Sequence, residues 1–151
     1  MAKILSGIGQ MLHVPAMMAA LSAPVAWIFG ETEGTWAFLL TATAAIVPGQ
    51  LLFRIYRNKQ DTFNISQIMW VATLGWTAVS LIGAIPFYVH TYLLSAAQVE
   101  AHAISPFQNF YNCFFESVSG YTSTGLTLTI AESELPHGLQ WWRTFTQWIG
   151  G

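Results

Sequence analysis

The stretch between Asp61 and Glu100 contains no aspartate, glutamate, lysine or arginine, and it is the longest such stretch in the chain. An apolar segment of this length can cross a bilayer as a helix, which needs about 20 residues. Over the whole chain 54% of the residues are hydrophobic and only 8% are charged. That charged fraction is about a third of the roughly 25% typical of a soluble domain. The sequence therefore predicts an all-α integral membrane protein, with lipid as its surroundings.

The few charged and sulfur-containing residues exclude several other classes of protein. Five basic residues against seven acidic ones give a net charge of -2, so no basic surface is available for phosphates and no nucleic-acid partner is expected. Cys113 is the single cysteine and cannot form an internal disulfide, and the histidines do not have metal-ligand spacing. No acid and base are paired as a catalytic centre requires, so we expect no enzymatic activity.

Three apolar runs predict three membrane spans. They cover residues 11–29, 36–56 and 68–94. The first run follows Lys3 as a secretory signal would, but Pro15 and Pro24 interrupt it and no cleavage site of small residues follows it. We therefore interpret it as a membrane helix. In the second run, Pro48 and Gly49 predict a kink.

The positions of the basic residues predict the orientation of these spans. Basic residues precede the first span and separate the second from the third, at Lys3, Arg54, Arg57 and Lys59. Because cytoplasmic loops are enriched in lysine and arginine, the N-terminus is expected in the cytoplasm. The acidic turn at Glu31 and Glu33, and the segment that follows the third span, are then expected outside.

The segment after the third span begins a helix that is too short to cross. Ser105 and Pro106 form a helix-start signal, with serine at the cap and proline at the first position, and predict a helix over residues 107–120. Such a helix rises about 21 Å, against a hydrocarbon core of about 30 Å. Residues 120–127 are rich in glycine and hydroxyl groups, which indicates a re-entrant loop. Irregular backbone at membrane depth must be buried in protein or line a water-filled cavity, so this loop suggests a pore.

Thr122, Ser123, Thr124 and Gly125 are the predicted ion-selectivity filter. A filter replaces the water around a potassium ion with backbone carbonyl oxygens, and glycine permits the backbone angles that direct successive carbonyls toward one axis. The three hydroxyl groups can satisfy neighbouring backbone groups or meet the ion. The preceding helix points its partially negative C-terminus toward the middle of the membrane, which favours a cation.

Residues 120–127 also allow two other interpretations. The spacing of Gly120 and Gly125 approaches that of a phosphate-binding loop, but Leu126 occupies the position that must be lysine, so this interpretation fails. The other interpretation is an ordinary surface loop, because serine, threonine and glycine are common loop residues.

Two charged residues close to the loop are candidates for supporting it. Glu116 precedes Gly120 by one helical turn and either attracts cations or accepts hydrogen bonds that hold the loop, and we favour the second role. Arg143 is flanked by tryptophans at positions 141, 142 and 148. Since tryptophan is enriched at membrane interfaces, we interpret Arg143 as an interface anchor rather than an ion contact.

Residues 115–125, with the sequence FESVSGYTSTG, resemble the first pore loop of the Trk/Ktr/HKT superfamily of potassium transporters. Residues 135–143 and 147–151 resemble its bacterial TrkH/TrkG branch. The third span, with residues 80–87, is similar to the outer helix that precedes the loop in that branch. The first two spans resemble its extra N-terminal helix pair in hydropathy and position.

The resemblance implies four helix, pore helix, loop and helix repeats around one pore. Residues 61–151 would be the first repeat, and residues 1–60 the N-terminal helix pair. The resemblance also implies that the backbone carbonyls of Ser123 and Thr124 coordinate K⁺ just before the filter glycine, Gly125. The bacterial pattern has three threonines before this glycine, so Ser123 departs from it while keeping its carbonyl. In plant relatives a serine in place of the glycine accompanies sodium preference, so Gly125 favours potassium.

The predicted function is therefore potassium uptake across a bacterial inner membrane, with K⁺ as the transported ion and no organic cofactor. The resemblance further implies a homodimer and a cytosolic nucleotide-binding regulatory subunit. Because the sequence ends within an apolar run, we expect it to be an N-terminal fragment. Two alternatives stay open: a single-repeat subunit of a tetrameric cation channel, and a non-conducting membrane scaffold subunit.

Overall fold

The computed structural model describes residues 1–56 and 63–151, and these residues form helices joined by short loops. The α-helices are α1 (Ala2–Met11), α2 (His13–Ile28), α3 (Thr32–Tyr56), α4 (Ile65–Leu93), α5 (Ala96–Ala101), α6 (Phe110–Tyr121) and α7 (His137–Gly150). Two 3-10 turns, Ser105–Gln108 and Glu132–Glu134, lie on either side of α6. No β-strand occurs in the described part of the chain, and the all-α prediction is confirmed.

Three helical stretches are long and apolar enough to cross a membrane, as predicted. They are Ala2–Ile28, which combines α1 and α2, then α3 and α4, with 27, 25 and 29 residues. The first stretch begins at Ala2 rather than at residue 11, because α1 buries its small residues Ser6, Gly7 and Gly9 and packs against α3 and α4. Arg57 and Lys59, on which the predicted orientation partly depends, lie outside the described residues, as does the predicted domain boundary at residues 60 and 61.

The ends of α4 follow from local capping. Asn64 and Gln67 form a capping box at its start, where the Asn64 side chain accepts a hydrogen bond from the Ser66 N–H and the Asn64 N–H donates to Gln67 Oε1. At the other end Leu94 is extended, and Ser95 begins a second capping box that starts α5. Helix α5 is not predictable from the sequence, because a helix of six residues has too few positions to show a hydrophobic period.

The short helix α6 begins three residues later than predicted. Ser105 lies inside a 3-10 turn and makes no capping hydrogen bond, so the predicted serine cap is wrong. Asn109 is the cap instead, since its Oδ1 accepts a hydrogen bond from the Tyr111 N–H at 2.9 Å. The resulting helix of 12 residues rises about 18 Å, which is well short of a membrane crossing.

The neighbours of α6 and α7 describe a re-entrant path. At the start of α6, the Phe110 ring lies 5.8 Å from that of Tyr88, close to the end of α4. At its end, the Tyr121 ring lies 6.2 Å from that of Trp76, near the middle of α4. The chain then returns to the starting side, where α7 begins, and Gly150 at the far end of α7 packs against the Tyr121 backbone. The loop after α6 therefore lies beside the middle of a spanning helix.

Large buried side chains join α7 to the spanning helices. The Trp142 ring packs 5.6 Å from the Phe38 ring of α3, and its indole N–H donates to the Gly83 carbonyl of α4 at 3.1 Å. Outward-facing positions of α2, α3 and α4 instead expose large apolar side chains, among them Met17, Leu21, Trp27, Leu40, Val47, Leu51, Met69 and Trp70. An apolar surface of this extent fits a lipid environment.

Candidate functional site

The start of the loop is fixed by the way α6 ends. The Ser123 N–H donates to the Gly120 carbonyl at 2.9 Å, and the Thr124 N–H donates to the Ser119 carbonyl at 3.0 Å. This pair of bonds is the Schellman motif, whose residue after the C-cap adopts a left-handed conformation and is most often glycine. Here that residue is Ser123, with φ of 53°. The loop thus leaves the helix through a conformation that most side chains disfavour.

The Ser123 side chain ties this turn to α7. Its hydroxyl donates to the Gln147 carbonyl at 3.1 Å. Serine suits the position better than threonine would, because a β-branched residue is a stronger outlier at positive φ. The departure from the family's threonine therefore fits the local backbone conformation.

Gly125 is the second left-handed residue of the loop, with φ of 73°. A Cβ atom built at this position would have no neighbour within 4 Å. The glycine is therefore required by the backbone conformation and not by lack of space. This is the freedom that the predicted filter role asks of Gly125.

Glu116 holds the returning part of the loop from inside the protein. It is 3% exposed. Its Oε1 accepts a hydrogen bond from the Thr127 hydroxyl at 2.9 Å, and its Oε2 accepts one from the Leu128 N–H at 3.1 Å. The structure thus places Glu116, for which a loop-holding role is predicted, against Thr127 and Leu128 of the loop.

Arg143 supplies the positive charge that a buried carboxylate needs. Its Nε lies 2.6 Å from Glu116 Oε1, and its Nη1 lies 3.3 Å from Glu132 Oε2. The Arg143 side chain is 11% exposed, so its interpretation as an interface anchor is wrong. The cause is Glu116, since a buried carboxylate is stable only when paired and hydrogen-bonded. The neighbouring Trp142 is buried as well, whereas Trp141 and Trp148 are exposed.

Further contacts connect α6 to the loop and to α7. The Ser119 hydroxyl donates to the Leu126 carbonyl at 2.6 Å, and the Thr122 and Thr124 hydroxyl oxygens lie 2.8 Å apart. Gly120 allows α6 and α7 to approach, because a Cβ there would lie 3.0 Å from Thr146 Cβ. The role of Ser119 has no signal in the sequence, since nothing in the spacing of a helical serine indicates a partner seven residues later.

The predicted filter residues, 122–125, are all exposed, as are Leu126, Leu128 and Ile130 further along the loop. Among the described residues, no hydrogen bond is directed at their four carbonyl oxygens. The described residues also contain no group of three or more histidine, cysteine, aspartate or glutamate side chains that could hold a metal ion. The groups that this surface offers to a cation are thus carbonyl and hydroxyl oxygens.

Three apolar spanning helices, followed by a short helix that stops beside the middle of α4 and turns back, define a membrane protein with a re-entrant loop. No protein-family model matches the chain. Curated relatives do match it, and they carry names from one group of transport proteins.

The relatives cover most of this chain. The Trk system potassium uptake protein TrkH of Escherichia coli K12 is 30% identical over 127 residues, which are 84% of this chain and 23% of the relative. TrkI of Halomonas elongata is 33% identical over 150 residues, 99% of this chain and 27% of the relative. An uncharacterized cation transporter of Methanocaldococcus jannaschii is 31% identical over 112 residues, 70% of this chain and 20% of the relative.

Over these matched residues the chain is similar to Trk-type potassium uptake proteins, and the resemblance found in the sequence is confirmed. The chain spans about a quarter of the length of the curated relatives that it matches.

Proposed function

We propose that this chain contributes one cation-filter loop to a potassium uptake protein of the Trk type. The observation that carries the proposal is the loop of residues 122–125, which are exposed and whose carbonyl oxygens accept no hydrogen bond from the described residues. Relatives named as potassium uptake proteins support potassium as the ion.

The proposed loop works by replacing water around the ion. The carbonyls of Ser123 and Thr124, and the hydroxyl groups beside them, are the oxygens that would meet K⁺ as it loses its hydration shell. The C-terminal end of α6 adds a partial negative charge at this point. Glu116, paired with Arg143, binds the loop at Thr127 on its buried side. The carbonyl oxygens of the loop therefore need little rearrangement when the ion arrives.

One loop covers one side of an ion, so the remaining oxygens must come from other loops. We propose that residues 61–151 form the first of four repeats around a single pore, with residues 1–60 as an additional helix pair. Relatives about four times as long as this chain support that arrangement over a tetramer of single-repeat subunits.

The orientation and the assembly are part of the same proposal. With a cytoplasmic N-terminus in the bacterial inner membrane, Glu31 and the loop's entrance lie outside, so potassium reaches the filter from outside. The homodimer and the cytosolic nucleotide-binding regulatory subunit that the family resemblance implies are the proposed partners.

The test is rubidium influx in cells that lack potassium uptake, with the protein expressed from its complete reading frame. Gly125→Ser and Gly125→Asp are expected to reduce influx and to lower the preference for rubidium over sodium, because both place a side chain at a left-handed position of the filter. Gly30→Ser is the matched control, since Gly30 has a φ of 76° and equally open surroundings in the α2–α3 turn.

The control should leave ion preference unchanged at equal amounts of membrane protein. Unchanged influx and ion preference in both Gly125 variants would count against a filter role. A wild-type protein that is well expressed and carries no rubidium would favour the non-conducting scaffold.

A further inference from the structure

The turn between α2 and α3 reaches the N-terminus of α7. Glu31 Oε1 accepts a hydrogen bond from the His137 N–H at 2.5 Å, and Oε2 accepts one from the Gly138 N–H at 2.9 Å. Helix α7 has Pro136 at its cap and no capping hydrogen bond from that residue. The first N–H groups of a helix lack partners within it, so a carboxylate from more than 100 residues earlier supplies them.

Two more contacts fix the same junction. The Phe29 ring stacks on the His137 ring, with centroids 4.3 Å apart and planes 5° apart. Gly138 permits the close approach, since a Cβ there would lie 2.9 Å from Glu31 Oε2 and 3.1 Å from Ala26 Cβ. The contact therefore involves charge, ring stacking and shape, and it joins the helix pair of residues 1–60 to the segment of the filter loop.

The other acid of this turn takes no part in the junction. The Glu33 carboxylate accepts a hydrogen bond from the Thr32 hydroxyl at 3.0 Å, which is a local contact. Glu31 is the better placed of the two, because a carboxylate at a helix N-terminus also interacts favourably with the helix dipole. The two acids thus provide a test residue and a control residue within one turn.

We propose that Glu31 is a positioning residue for the filter loop and acts through α7. Arg143 lies six residues after His137, about 9 Å along α7. It pairs with Glu116, which accepts the hydrogen bonds of Thr127 and Leu128. A fixed outer end of α7 keeps Arg143 on Glu116, and thereby keeps the loop in shape. This inference rests on the proposed function, and it gives the N-terminal helix pair a part in ion binding.

The expected consequence is a change in apparent affinity. When α7 loses its attachment, the loop spends less time in the conformation that binds the ion. The apparent affinity for the ion falls in proportion to the share of time that the loop keeps its ion-binding conformation. A role limited to folding would instead reduce the amount of protein in the membrane and leave the KM for the ion unchanged.

The first experiment measures the KM for rubidium influx, with the protein expressed from its complete reading frame. Glu31→Gln replaces one carboxylate oxygen with an N–H₂ group, which cannot accept the hydrogen bond that a backbone N–H donates at that position. Gly138→Ala adds a methyl group to the junction on the α7 side. Both are expected to raise KM by about threefold to tenfold, the range of a lost helix cap. Glu33→Gln removes the same charge two residues away and should leave KM unchanged.

The second experiment tests the contact without transport. The double variant Phe29→Cys and His137→Cys should be joined in membranes by a short bifunctional thiol reagent, because both side chains are exposed and their rings are in contact. The single variant Phe29→Cys controls for pairing with Cys113, which is buried.

The outcomes separate the two proposals. Failure of the double variant to cross-link would overturn the junction itself. A cross-link together with an unchanged KM in Glu31→Gln and Gly138→Ala would overturn positioning and leave a purely structural contact. If the wild-type protein carries no rubidium, both the proposed function and the positioning role of Glu31 are overturned. The cross-link still reports whether the junction exists.

Discussion

The spanning helices and the proposed filter loop satisfy their polar groups in different ways. In the spans, several buried hydroxyls bond to carbonyls one turn earlier on their own helix, as Ser22 does to Met18 at 2.8 Å and Thr41 does to Ala37 at 2.7 Å, whereas Ser6 Oγ has no partner among the described residues. In the loop, Leu128 and Ser123 use partners 12 and 24 residues away. These span hydroxyls are therefore satisfied locally, whereas the loop depends on groups of α6 and α7.

Among the substitutions that test this contrast, removal of the Glu116 carboxylate is expected to lower the free energy of unfolding most. Glu116→Ala leaves Arg143 with a buried charge and leaves two loop groups without their acceptor. The free energy of unfolding in mixed micelles should fall by about 3–5 kcal/mol, the cost of breaking a buried ion pair. Rubidium influx should be lost as well.

Glu132→Gln is the control for that variant. Glu132 is the exposed partner of Arg143, with 58% of its side chain accessible, and exposed ion pairs contribute about 0–1 kcal/mol. Equal losses in the Glu116 and Glu132 variants would mean that the loop is not held from the buried side.

Changing Ser123 should have an intermediate effect. Ser123→Ala removes the hydroxyl that reaches Gln147 and keeps the left-handed backbone, so we expect a loss of about 1 kcal/mol in unfolding free energy. Ser123→Gly removes the same bond but relaxes the backbone, so its loss should be smaller. The same unfolding measurement compares the two, and equal losses would argue against a left-handed Ser123.

The smallest effect is expected within a span. Ser22→Ala removes a buried hydroxyl whose partner, the Met18 carbonyl, lies one turn earlier on the same helix. Alanine also favours the helix, so the unfolding free energy should change by less than about 0.5 kcal/mol. A loss as large as that of Ser123→Ala would remove the distinction between the two regions.

The same contrast explains how much of the structure could be predicted from the sequence. Long apolar runs identify a membrane helix because the hydrocarbon core sets its length, and all three spans were predictable for that reason. Gly125 could be singled out because few residues other than glycine take a positive φ readily. Such features depend on residues close together in the chain.

Features that depend on distant residues were missed or misinterpreted. Arg143 has tryptophan neighbours in the sequence, which indicate an interface, but its buried partner Glu116 lies 27 residues earlier. Glu31 has no local feature that indicates a helix N-terminus more than 100 residues later. The start of α6 was misplaced because Ser105 and Pro106 form a cap-like pair, while Asn109 only becomes the better cap once the 3-10 turn precedes it.

The hydrogen bond between Trp142 and Gly83 has a mechanical consequence. Trp142 is fully buried and lies between the two ends of α7, with Glu31 at one end and the Tyr121 backbone at the other. A rod held at an inner point and displaced at one end swings the opposite way at the other. With Trp142 as the pivot, we expect a sideways movement of the outer end of α7 to turn the adjacent Arg143 side chain about its contact with Glu116, and to move Gly150 the opposite way against Tyr121.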